Sequence, residues 1–268
     1  MLLHKSEEPF DDDSFITELK LDGIRVIWTK FENKVRLYTR HNNEITSKFP
    51  ELTNLPLPNG IALDGEIIVT NEQGKPDFEA VMERFMSKKS IHQISYSVFD
   101  IIYFKGEKVT NLSLLDRKKI LEDTITEDTH LLNKVQWIIG NGTQYFDIVK
   151  QHDLEGTVQK RANSKYQINK RSKDWLKIVN YKYESVYICG LRKDKFGLLL
   201  NFENGNYAGV MEFMTPKDRR EFYSQYKDFI VKENDKYIYL KPQIKVNVKY
   251  RNLTKNGLLR IPSFVEWS

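Results

Sequence analysis

The alternation of apolar and polar positions marks the opening of the chain as strand. Over residues 15–45, Glu18, Lys20 and Asp22 fall on one side of an extended segment, and Leu19 and Leu21 on the other. Residues 35–40 (VRLYTR) and 61–69 (IALDGEIIV) repeat the pattern, and 94–104 (ISYSVFDIIYF) is a long run of β-formers. Residues 76–86 (PDFEAVMERFM) switch to a helical period, with Pro76 early and Phe78, Val81, Met82 and Phe85 on one face. Segments 114–125 and 143–153 predict two further helices.

Past residue 185 the character changes. Strand-like stretches bounded by Gly and Asn (186–202, 207–214) surround one helix over 215–226, with Thr215 as N-cap and Pro216 at its first position. In 244–250, Ile244, Val246, Val248 and Tyr250 predict an inward face and Lys245, Asn247 and Lys249 an outward one. Short strands, one helix and basic outward positions fit a small OB-type β-barrel. The expected organisation is α+β, with a larger domain of antiparallel sheets and flanking helices over 1–184 and an OB-fold over 185–268.

Composition narrows the chemistry. Of 268 residues, 40% are hydrophobic and 12% aromatic, enough for a packed core, and 29% are charged, as in a soluble protein. No apolar run reaches membrane-spanning length, and MLLHKSEEPFDDD turns acidic before a signal-like core could form, so no membrane association and a cytoplasmic location are expected. The single Cys189 rules out an internal disulfide and a cysteine-rich zinc site, and reads as a small buried hydrophobe. Five scattered histidines argue against a histidine metal cluster. There is no G-x-x-x-x-G-K-[ST], H-E-x-x-H or G-x-S-x-G motif. The net charge of +5 is uneven: residues 191–268 hold fifteen Lys/Arg against nine Asp/Glu, leaving −1 for the remainder. A basic tail domain fits a polyanion partner or a merely solvated basic surface.

The strongest local signal is Lys20-Leu21-Asp22-Gly23-Ile24-Arg25. Four fixed residues of K-x-D-G-x-R arise by chance in roughly a few per thousand chains of this length. The bland alternative is a strand ending in an Asp-Gly turn. The chemical one is a lysine made nucleophilic by desolvation or by neighbouring cations such as Arg25 and Lys177.

With its later segments, the sequence resembles the covalent nucleotidyltransferases: ATP-dependent DNA ligases, RNA ligases and mRNA capping enzymes. Leu63-Asp64-Gly65-Glu66 resembles the family's acidic strand motif, and Val98-Phe99-Asp100-Ile101-Ile102-Tyr103 its base-stacking strand. Glu155-Gly156-Thr157-Val158-Gln159-Lys160 resembles E-G-x-V-x-K, Trp175-Leu176-Lys177-Ile178 the W-x-K stretch, and Tyr38-Thr39-Arg40 the Ser-Arg element. The resemblance runs from about residue 9 to the C-terminus and points most closely to minimal DNA ligases of bacteriophages and Gram-positive bacteria.

It implies that Lys20, with Asp22 and Lys177 as catalytic companions, attacks the α-phosphate of ATP and carries AMP. Glu18 contacts the adenine, and Phe99 and Val158 sandwich it. Glu66 and Glu155 serve the ribose and Mg²⁺. Lys160 and Lys177 neutralise growing phosphate charge. Arg25 and Arg40 hold the 5′-phosphate strand. Arg171 and Arg117 are further phosphate or scaffold contacts, Arg117 alternatively a surface charge on its helix. AMP then passes to the 5′-phosphate at a nick in double-stranded DNA, and the 3′-hydroxyl displaces it. A monomer is expected.

Two departures stand out. Val179 occupies the position of a second lysine. Gly257-Leu258-Leu259-Arg260-Ile261-Pro262-Ser263-Phe264 resembles the ligase end segment, but Ser268 arrives before a final R-x-D-K. An mRNA guanylyltransferase, an RNA ligase and a non-catalytic nucleic-acid-binding module are the alternatives.

Overall fold

The computed structural model describes residues 1–87 and 89–268 and divides the chain into two units, Met1–Asn180 and Tyr181–Ser268. The first contains β1 (Leu2–Lys5), β2 (Phe15–Leu19), β3 (Ile24–Phe31), β4 (Lys34–Thr39), β5 (Ile61–Ile68), α1 (Phe78–Met86), β6 (Ser95–Phe104) and β7 (Glu107–Lys108). Then follow α2 (Leu114–Thr124), β8 (Leu132–Lys134), β9 (Trp137–Ile139), α3 (Gly142–Gln151), β10 (Gly156–Arg161) and β11 (Arg171–Val179). Among the described residues these strands build two sheets. One has the order β1-β11-β10-β2-β9; the other has β4-β3-β5-β6-β7, with β8 also on β6. Pairing is antiparallel except for β1 on β11 and β8 on β6.

Register, more than the presence of strands, prepares the site. Glu18 lies opposite Val158, and Val158 opposite Lys177; two residues along, Lys160 lies opposite Trp175. Because side chains repeat every second residue along a strand, Glu18, Val158, Lys160, Trp175 and Lys177 share one face of the first sheet. Lys20 extends that row just past β2, its N–H donating to the Gly156 carbonyl at 2.9 Å.

Helices cover the remaining faces. In α1 the Asp77 carboxylate accepts from Ala80 N–H at 2.9 Å, so Asp77 is the N-cap and Pro76 lies outside the helix. Helix α2 packs on β6, and α3 lays Phe146 and Val149 against Ile178. Strand β1, which the acidic reading of the N-terminus did not anticipate, pairs Lys5 with Lys177.

The second unit comprises β12 (Lys182–Arg192), β13 (Leu198–Phe202), β14 (Tyr207–Met211), α4 (Pro216–Gln225), β15 (Ile230–Glu233), β16 (Tyr237–Tyr250) and β17 (Ser263–Trp267). Its sheet has the order β14-β13-β12-β16-β15, with β17 also on β16. The unit begins slightly ahead of the expected 184/185 boundary because β12 already starts at Lys182. Helix α4 is capped by Thr215 with Pro216 in the first turn. Ile244, Val246, Val248 and Tyr250 are buried as their alternation predicts. A bridge between Phe213 and Ser263 brings β17 to the segment after β14. Cys189 differs from expectation: it is half-buried, and its thiol, pushed up to about 11 by burial, donates to Asn201 Oδ1. Among the described residues no helix is long and apolar enough to cross a membrane.

Candidate active site

A cavity of about 90 Å³ in the first unit brings together Glu18, Lys20, Arg25, Glu66, Phe99, Val158 and Lys160, with Trp175 in its wall. These come from β2, the turn after it, β3, β5, β6, β10 and β11, so the shared row of the first sheet meets the β3–β5–β6 part of the second. Gly23 belongs to the turn by necessity: a Cβ there would stand 2.2 Å from the Ile67 carbonyl oxygen. Gly156, at φ +150°, would bring a Cβ to 2.1 Å from the Ile178 carbonyl. Gly23 thus lets the turn after Lys20 lie against β5 beside Glu66, and Gly156 lets the backbone next to Glu155 lie against β11.

The Lys20 ammonium donates to Glu155 Oε2 at 2.6 Å, the lysine side chain being 16% exposed and the glutamate 5%. Glu66 lies in the same field. Burial pushes its carboxyl up to about 8, opposed by Lys20 and Arg25 and reinforced by Asp64 and Asp22. Lys177 is partly buried, and its pKa is lowered by burial and then by the positive charges of Lys20, Arg171, Arg40 and Lys5. These neighbours make the surroundings of Lys177 electropositive, and the charge of Lys20 bears directly on it.

The opposite end of the cavity is aromatic and internally paired. Phe99 and Trp175 meet edge to face at 6.4 Å between centroids. The Lys160 ammonium lies 4.5 Å from the Phe99 centroid and 4.3 Å from that of Trp175, and 2.5 Å from Glu18 Oε2. Burial lowers its pKa to about 8, against the pull of Glu18. Glu18, 2% exposed, is driven upward by burial, but Lys118 and Lys160 outweigh that and hold it below the usual carboxylate range.

Several expected roles change. Lys160, read as a phosphate-neutralising lysine, is placed with Glu18 at the aromatic end, because its side chain runs inward from a fully buried strand. Arg25, expected on a 5′-phosphate, donates from Nε and Nη2 to both oxygens of Asp64 at 2.9 and 2.6 Å and stands 5.4 Å from the Phe99 centroid. Asp64 also accepts from the Tyr166 hydroxyl at 2.7 Å. Burial works against both charges, yet the pairing raises Arg25 and lowers Asp64. Arg117 is wholly buried against Asp100, which excludes the surface-charge alternative and makes it scaffold. Arg171 is exposed and donates to the Leu3 carbonyl; Arg40 is exposed on a separate groove, of about 690 Å³, that Arg25 also lines. Val179 is buried opposite Gly156.

Lys118 and Tyr166 were not singled out by motif. For Lys118 the signal was present: Leu114, Arg117, Lys118 and Leu121 occupy one helical stripe and all are buried. Among the described residues no group of three or more His, Cys, Asp or Glu is placed to hold a metal. Glu66 and Glu155 nevertheless suit Mg²⁺, which usually takes one or two carboxylates together with substrate phosphates and water.

Comparison with known proteins matches residues 3–178 to the ATP dependent DNA ligase domain. The SPbeta prophage-derived DNA ligase-like protein LigB of Bacillus subtilis (strain 168) is 51% identical over 267 residues, covering 100% of this chain and 97% of that protein. The bifunctional non-homologous end joining protein LigD of the same organism is 29% identical over 279 residues, covering 92% of this chain and 45% of LigD. The chain thus spans nearly all of one relative and about half of the other. Among solved structures, mycobacterial DNA ligase D complexed with ATP and MES superposes with a TM-score of 0.65 at 24% identity, covering 100% of this chain and 93% of that one. A Lig E DNA ligase gives 0.70 at 17%, covering 100% and 98%. These two structural likenesses speak for the fold.

Proposed function

Because the chain belongs to the ATP-dependent DNA ligase family, we propose that Lys20 is its nucleotide-carrying residue and that the cavity beside it receives ATP. The observation that carries this reading is one amine, Lys20 Nζ, poised 2.6 Å from Glu155 between an aromatic pocket and a cluster of cations.

The adenine lies between Phe99 and Val158, its edge toward Glu18 and Lys160. The phosphates reach toward Lys177 and Arg171. Lys20 Nζ forms a bond to the α-phosphorus as the bond from that phosphorus to the bridging oxygen of pyrophosphate breaks. Glu155, within hydrogen-bond reach, accepts the proton the amine must shed. Lys177 and its neighbours offset charge as pyrophosphate leaves. Glu66 and Glu155 would hold Mg²⁺, which would supply charge neutralisation on the phosphates when bound.

In the second step a DNA 5′-phosphate oxygen takes the adenylyl group from Lys20 at a nick in duplex DNA. In the third the adjacent 3′-hydroxyl forms the phosphodiester and AMP departs. Arg40, exposed beside the larger groove, serves the DNA phosphate; Arg25 supports the cavity through Asp64. The second unit, read as an OB-fold, holds the duplex through its phosphates with salt-sensitive affinity.

Intact-mass measurement of the full chain after ATP and Mg²⁺ tests the reading. Wild type gains one adenylyl group, lost on addition of nicked DNA with the appearance of sealed product; Lys20→Ala gains none. An adduct that persists in Lys20→Ala, or never forms in wild type, refutes it.

A further inference from the structure

Helix α2 contributes a residue to the base cavity from behind. Lys118, its side chain 3% exposed, makes an ion pair with Glu18 Oε1, while Lys160 holds Oε2. One carboxylate therefore faces two ammoniums, in a setting where every charge is costly to bury. A single lysine would already balance Glu18. The second fixes both carboxylate oxygens, and with them the orientation and ionisation of the group. The preceding residue, Arg117, clamps α2 to β6 through Asp100, next to Phe99, so the helix that carries Lys118 is itself locked to the stacking strand.

We propose that Lys118 is a positioning residue for nucleotide selection: it keeps Glu18 an ionised carboxylate turned toward the base, so that the cavity takes 6-amino purine nucleotides and turns away 6-oxo ones. The inference rests on the reading that this cavity receives the base of ATP. An ionised carboxylate only accepts hydrogen bonds. The exocyclic amine of adenine donates to it; a 6-oxo group presents another acceptor and sets oxygen against oxygen. Buried polar groups left unpaired by the wrong ligand are among the strongest sources of discrimination available to a site. Lys118 is absent from the cavity lining, so it acts through the lining groups it faces, Glu18 by direct pairing and Lys160 by charge. Without it, Lys160 alone opposes the burial of Glu18, so the carboxylate is held less firmly in its ionised form and the protonated form, which can donate to a 6-oxo oxygen, becomes easier to reach.

The experiment measures self-adenylation of the full chain with ATP and with inosine triphosphate, for wild type, Lys118→Met, Lys118→Arg, Glu18→Gln and the Glu18→Gln/Lys118→Met double variant. Lys118→Met is expected to lower the ATP-to-ITP ratio of kcat/KM by about tenfold or more, mainly through KM for ATP. The loss should deepen as pH falls, and Lys118→Arg should restore most of the preference. In the Glu18→Gln background Lys118→Met should change the ratio no further.

An unchanged ratio in Lys118→Met, or an equal loss for both nucleotides, overturns the inference. If Lys118→Met does not fold, the double variant decides: a further shift of the ratio beyond that of Glu18→Gln alone overturns it. Wild type run alongside separates the two levels. A wild type that takes no adenylyl group from ATP refutes the reading of the cavity. One that adenylates while Lys118→Met keeps its preference refutes only the role of Lys118.

Discussion

Replacing Arg117 with methionine removes the partner of Asp100 at a place where both side chains have 0% exposure. The guanidinium donates from Nε and Nη2 to the two carboxylate oxygens at 2.8 and 2.9 Å, and from Nη1 to the carbonyls of Leu112 and Ser164 at 2.7 and 3.0 Å. Methionine fills much of the same channel but offers no donor. Breaking a buried pair by deleting one member costs about 3–5 kcal/mol. The stranded carbonyls add to this, each by roughly 1 kcal/mol or more where water cannot reach it. A loss of about 4 kcal/mol is therefore a low-side expectation. For a unit of this size each kcal/mol moves Tm by roughly 2–4 °C, so scanning calorimetry of the full chain should show the first unit melting about 8–16 °C lower. The informative control is Asp100→Leu/Arg117→Met. Taking away both charges is less harmful than orphaning one, so the double variant should melt above Arg117→Met. A single variant within about 2 °C of wild type, or a double variant below the single, would refute the assignment of this pair as the clamp between α2 and the stacking strand.

Glu66 yields a pH-dependent expectation. Its folded pKa, raised from 4.5 to about 8, means the folded state binds the proton more tightly than the unfolded one. The resulting stabilisation is full below about pH 4.5 and is lost as pH climbs through about 8. Glu66→Gln has nothing to titrate, so without Mg²⁺ its Tm advantage over wild type should be slight at about pH 4.5 and grow to a plateau above pH 8; a gap independent of pH contradicts this. Gly156→Ala combines backbone strain of about 1–3 kcal/mol with a Cβ driven against the Ile178 carbonyl. Its denaturation midpoint should fall sharply and self-adenylation should fail through the neighbouring Glu155; an unchanged midpoint would show that the turn accommodates a side chain.

How much of this could be read from the sequence depends on the kind of information each feature needs. The row Glu18, Lys20, Asp22 was visible because strand alternation is local, and Ile244 to Tyr250 for the same reason. Strand β1 was not: four residues are too few to display a period, and its partner β11 lies far along the chain. The Arg25–Asp64 pair depends on the register of β3 against β5, where Arg25 lies opposite Glu66 and reaches diagonally to Asp64. No single strand encodes that register. Lys160 was read as neutralising phosphate charge, and its pairing with Glu18 was not foreseen, because alternation assigns a face and not the depth to which an ammonium runs. The charges of α2 show a different failure. Arg117 was read as a phosphate or scaffold contact or a surface charge, and Lys118 was not singled out, although their spacing with Leu114 and Leu121 marks a buried stripe. Phase outweighed polarity, and each buried charge found a carboxylate.

The distribution of charge separates two tasks within the site. At the aromatic end the charges are matched internally: Arg25 with Asp64, Arg117 with Asp100, and Glu18 with two lysines. Such pairs add little net stability, since desolvation consumes most of their attraction, but they hold geometry. Rigidity there favours selection of one base. Around Lys177 the field is positive: its pKa is lowered by burial and then by the charges of Lys20, Arg171, Arg40 and Lys5. Lys20 pairs there with Glu155 and Lys5 with Glu7, while Lys177 still lies in a positive field. On the proposed reading a polyphosphate adds negative charge to that field, where charge must move during phosphoryl transfer. On the same reading, a base end fixed by pairs and a phosphate end in a positive field meet at Lys20.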